Sequence, residues 1–78
     1  MAKLIKEREW LENLRHEKEW TNEATAAQLG IKYSTYWKLK SGSREHLTVV
    51  DIENIAYAFG LEPVKVFEME LKYLNGTL

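Results

Sequence analysis

Glycine and proline act as punctuation in this chain. Gly30, Gly42, Gly60 and Gly76 and the single Pro63 are spread so that each falls where one helical pattern stops or the next begins. Glycine accepts the left-handed conformation that ends a helix, and proline suits a helix's first position because its missing N–H would have no partner there. Between these marks, apolar residues recur at three- and four-residue spacing. No stretch of apolar–polar alternation rich in β-branched residues reads as a strand. The expectation is an all-α chain of five helices.

The first helix is expected from about Lys3 to Lys18, with Leu4, Leu11 and Leu14 on one face. Trp20 is expected to pack beneath the following turn. Thr21 is a good N-cap for a second helix over Asn22–Leu29, and Glu23 suits its positive end. Only Ile31 to Tyr33 separates Gly30 from the third pattern. There Ile31, Tyr36 and Leu39 share an inner face, and Tyr33, Ser34, Trp37, Lys38 and Ser41 point elsewhere. This helix–turn–helix spans about 21–42. Thr48 and Asp51 have capping-box spacing for a fourth helix, with Val49, Ile52, Ile55, Ala56 and Phe59 as its buried stripe. The fifth helix, about 63–74, carries Val64, Phe67, Leu71 and Leu74 at three–four–three spacing. Val64 and Phe67 are expected to complete the core. Leu71 and Leu74 lie further out and are expected to form a dimer seam. The expected core is Leu14, Ala26, Leu29, Ile31, Leu39, Ile52, Ile55 and Phe59.

At 78 residues one domain, 1–78, is expected, with a core small enough to need good packing or a partner. The absence of Cys excludes a disulfide framework, a thiolate nucleophile and a Cys-based zinc site. Residues 1–9 lack the apolar run of a signal peptide, and no stretch reaches membrane-spanning length, so a soluble cytoplasmic protein with no membrane partner is expected. His16 and His46 have no metal-ligand partner at helical spacing. Asp51 and Glu53 read as a cap and a surface residue rather than an acid/base pair. With no phosphate-binding glycine loop either, no catalytic role, metal or cofactor is expected, and the chain does not read as an enzyme.

Charge is unevenly placed. Eleven basic and twelve acidic residues give a net charge of -1, yet residues 24–44 hold Lys32, Lys38, Lys40 and Arg44 and no acid. That window therefore carries +4 and the rest of the chain -5. It coincides with the helix–turn–helix, the element suited to a major groove, where cations replace the counterions of the phosphate backbone.

The set Leu11–Leu14–Arg15, Thr21–Asn22–Glu23, Ala26, Leu29–Gly30–Ile31, Ser34–Thr35, Leu39, Gly42 and Ile55–Ala56, Ala58–Phe59–Gly60–Leu61 resembles the Cro/Xre-type, lambda-repressor-like helix-turn-helix family. The resemblance covers roughly residues 10–67 and rests on order and spacing rather than any one motif. It implies a compact five-helix DNA-binding domain, with the second helix crossing the DNA backbone and the third in the major groove. By that resemblance the DNA-contacting positions are Asn22, Lys32, Tyr33, Ser34 and Lys38, with Ser41, Ser43 and Arg44 in a phosphate-contacting loop. Several positions depart from the pattern. Lys40 replaces an acid that in relatives pairs with the position of Arg15, so here two cations face each other. Arg15 is expected to turn to Glu12 or Glu19, and Lys40→Glu to be neutral or stabilising. Thr25 and Tyr36 replace aliphatic core residues, Lys32 replaces a Ser or Thr cap, and the loop before the fourth helix is one residue longer.

Trp37, on the outer face, has three readings: a contact to deoxyribose or a thymine methyl, an anchor for a protein, or a side chain folded back over the second helix. The function expected is a small sequence-specific transcriptional repressor, a homodimer on a two-fold symmetric operator of double-stranded DNA. The alternative is a protein-interaction module on the same fold, antitoxin-like or an anti-repressor component.

Overall fold

The computed structural model describes residues 6–76, all of whose regular structure is helical. The five helices are α1 (Glu9–Lys18), α2 (Asn22–Leu29), α3 (Tyr33–Ser41), α4 (Val49–Phe59) and α5 (Pro63–Asn75). No helix among the described residues is long and apolar enough to cross a membrane. The chain divides into two compact units, residues 1–46 with α1–α3 and residues 47–78 with α4–α5.

The helix ends follow local chemistry. The Thr21 hydroxyl accepts the Ala24 N–H at 3.0 Å to open α2. Gly30 closes it at φ 72°, with Ile31 N–H returning to the Ala26 carbonyl and Gly30 N–H to that of Ala27. Thr48 and Asp51 make a reciprocal capping box, each donating its backbone N–H to the other's side chain at 3.0 Å. Pro63 begins α5.

The start of α1 differs from expectation. Residues 6–8 are not helical, and α1 begins at Glu9; Leu4 and the expected start at Lys3 lie outside the described residues. Arg8 is wholly buried and held across α3 instead. The last carbonyls of a helix have no partner within it. In α3 the Lys40 carbonyl accepts the Arg8 N–H at 2.9 Å and the Leu39 carbonyl accepts Arg8 Nη1 at 2.7 Å. The Lys38 carbonyl accepts the Arg44 N–H at 3.1 Å. A helical Arg8 would forfeit these bonds.

In the first unit, α3 packs on α1 and α2, and Leu11, Thr25, Ala26, Leu29, Tyr36 and Leu39 are buried. Thr25 fits an apolar position because its hydroxyl donates to the Thr21 carbonyl at 2.9 Å. Leu14 and Ile31, expected in the core, are only partly covered, since so small a unit encloses few positions fully.

In the second unit, α4 packs on α5 and buries Ile55, Ala56, Phe59, Val66 and Glu70. Ile52 is partly covered, and Val49, at the first turn of α4, is 72% exposed. The buried face of α5 is not the expected one. Val64 and Phe67, assigned to the core, are 61% and 48% exposed and join Leu71 and Leu74 on an outer stripe. Spacing marks where a helix is apolar; which side meets α4 depends on the phase set by the Gly60–Pro63 connection.

Candidate nucleic-acid interface

The outer face of α3 holds the residues expected there. Lys32, Tyr33, Ser34, Trp37 and Lys38 are exposed, in a segment with no acid. Tyr36 and Leu39, one step round the helix, are buried. This division follows from the 3.6-residue period. Trp37 does not fold back over α2. Trp37 remains 39% exposed, and its indole meets the Tyr33 ring edge to face, with centroids 6.1 Å apart.

At the far end of α3, Gly42 adopts φ 88° and turns the chain. The Ser43 N–H donates to the Ser41 hydroxyl at 3.3 Å, and the two hydroxyls lie 3.2 Å apart. The Arg44 N–H bond to Lys38 folds this loop back against the helix end, so Ser41, Ser43 and Arg44 lie together beside Lys38. At the other end Asn22 opens α2, half-buried, its Oδ1 enclosed and without a hydrogen-bond partner.

The fourth cation of the window turns inward, which corrects the expected Arg15–Lys40 repulsion. Lys40 is only 8% exposed, and its Nζ lies 3.6 Å from Glu12 Oε2. Arg15 also turns to Glu12, one of the two acids expected, at 2.9 Å, and donates Nη1 to the Trp20 carbonyl at 2.7 Å. The Tyr36 hydroxyl donates to the same carboxylate at 3.2 Å. Glu12 therefore sits between two cations and a phenol. The Arg15 hydrogen bond holds its carboxyl below the ordinary 4.5, against the opposing effect of burial, with Lys40 adding to the lowering. Arg15 is raised by the same bond. Burial first, and then the Glu12 charge, push the Tyr36 phenol well above its ordinary value. The Lys40 ammonium also lies 4.1 Å from the Trp37 ring centroid, a cation–π distance.

Sequence reasoning did not single out Arg8, which looks like any cation of a charged terminus. It placed Lys40 on the patch. The signal for its true place was present: Trp37 and Lys40 are three apart on one helix, and such side chains meet. No protein-family model and no curated protein sequence matches the chain.

Proposed function

We propose that this chain is a sequence-specific DNA-binding regulator with a lambda-repressor-like arrangement, a small repressor that acts by occupying its operator. The observation that carries the reading is the acid-free outer face of α3 and its N-cap, where Lys32, Tyr33, Ser34 and Lys38 stand exposed. Lysine reaches guanine O6 and N7, and hydroxyls serve bases or phosphates. The Ser41–Arg44 loop and Asn22 at the start of α2 flank that face as phosphate contacts. A homodimer formed through the outer stripe of α5, which includes Leu71 and Leu74, suits a two-fold symmetric site whose half-sites lie about 34 Å apart.

The test is selection of bound sequences from random duplex DNA, followed by affinities for a selected and a random duplex at two salt concentrations. Preferential, salt-dependent binding of the selected duplex is expected. If neither duplex binds at low salt, the DNA reading fails. The exposed apolar side chains of α4 and α5, Tyr57 at 89% among them, then favour the protein-interaction module.

A further inference from the structure

We propose that Lys40, itself held by Glu12, is a positioning residue that fixes the Trp37 indole as a rigid contact on the outer face of α3. This rests on the DNA reading of that face. Three observations carry it. Lys40 Nζ lies 4.1 Å from the centre of the Trp37 ring and 3.6 Å from Glu12 Oε2, so one ammonium joins α1 to the indole. Lys40 is nearly buried and thus poorly placed to reach a phosphate, although it lies in the basic window. Tyr33 meets the indole on its own helix, so Trp37 is held by two neighbours while more than a third of it stays open to a ligand.

A large side chain on a surface helix ordinarily samples several rotamers, and freezing it on binding costs entropy. An indole already fixed by a cation on its face loses less. The ligand chemistry that suits such an anchor is the apolar edge of a base in the groove, a thymine methyl, or the deoxyribose beside it. Lys40 then contributes to sequence preference without touching DNA.

The experiment has two arms. In the free protein, 5-fluorotryptophan labelling gives one fluorine resonance for each of the three Trp, with Trp37 assigned by Trp37→Phe. Lys40→Met is expected to move the Trp37 line and leave those of Trp10 and Trp20 in place, and Lys40→Arg to restore it. Glu12→Gln, which frees Lys40 without removing it, is expected to move the same line. In the second arm, affinity for a selected duplex is expected to fall about tenfold for Lys40→Met and for Trp37→Ala. The double variant is expected to bind no more weakly than Trp37→Ala alone, the mark of two residues acting as one. The salt dependence should not change with Lys40→Met, whereas loss of a phosphate contact would lower the slope by about one. An unmoved Trp37 line, additive losses or a flattened salt slope would each overturn the proposal. A parent protein that binds no duplex would overturn the DNA reading instead, and the fluorine arm would still decide whether Lys40 sets the indole.

Discussion

At the residue scale, Glu12 concentrates the electrostatics of the first unit. It is one carboxylate serving Arg15, Lys40 and Tyr36. Lys40→Glu places a second carboxylate against it and removes the cation from the Trp37 face. Contrary to the expectation drawn from sequence, that change should destabilise the chain by about 1–3 kcal/mol, measured by denaturant unfolding, because a new carboxylate would stand at a nearly buried position beside another. The pH dependence follows from the lowered Glu12 carboxyl. A carboxyl lower in the folded than in the unfolded state contributes stability above its unfolded value, and loses it as pH falls through the folded one. Stability should therefore decline as pH falls below the ordinary carboxyl value of 4.5, and Glu12→Gln should flatten that acid limb in unfolding curves. On the outer face, Lys38→Ala should weaken binding to a selected duplex by about 1–3 kcal/mol and to random duplex little. Arg44→Ala should weaken both alike and lower the salt slope by about one. Paired titrations of the two variants distinguish base reading from phosphate contact.

At the element scale, the end of α3 depends on a residue far away in sequence. Arg8 bonds the Leu39 and Glu45 carbonyls by its side chain and the Lys40 carbonyl by its backbone. A cation also suits the negative end of a helix. Arg8→Met keeps the backbone bond and removes the guanidinium, and a loss of about 2–3 kcal/mol is expected. Hydrogen exchange should then quicken most at Arg44, whose N–H completes the same helix end. In α4, Ile55 is fully enclosed; Ile55→Ala should cost about 2–5 kcal/mol in a denaturant melt. The ends of α2 and α4 were legible because Thr21, Thr48, Gly30 and Gly60 cap their own neighbours. The clamp on α3 was not, because it joins residues 31 and 37 positions apart.

At the scale of the whole molecule, charge and apolar exposure divide between the two units. Residues 1–46 carry nine bases and seven acids, and residues 47–78 two bases and five acids. Among the described residues, seven of the nine exposed large hydrophobic side chains belong to α4 and α5. Val64, Phe67, Leu71 and Leu74 repeat at the spacing of a two-heptad seam, with Leu71 and Leu74 40% and 46% exposed. Because neither leucine is enclosed, Leu71→Glu with Leu74→Glu should give a folded monomer with weaker operator affinity, the linked second half-site being lost. Sedimentation of parent and variant at high micromolar concentration checks this; a monomeric parent would remove the seam.

The ends of α2 and α4 and the exposed side of α3 were legible in the residues alone, whereas the start of α1 was not. Caps, glycine stops and helical period are local requirements, met by residues within about one turn of each other. Which charges turn inward, and which side of α5 is covered, depended on packing between helices. Lys40 reads as one more cation of a basic window until Glu12 lies beside it. Arg8 reads as part of a charged terminus until the unsatisfied carbonyls of α3 lie above it. Val64 and Phe67 read as core until Val66 and Glu70 take that place. In each case the outcome depends on a neighbour from another helix, and spacing along one helix cannot specify that neighbour.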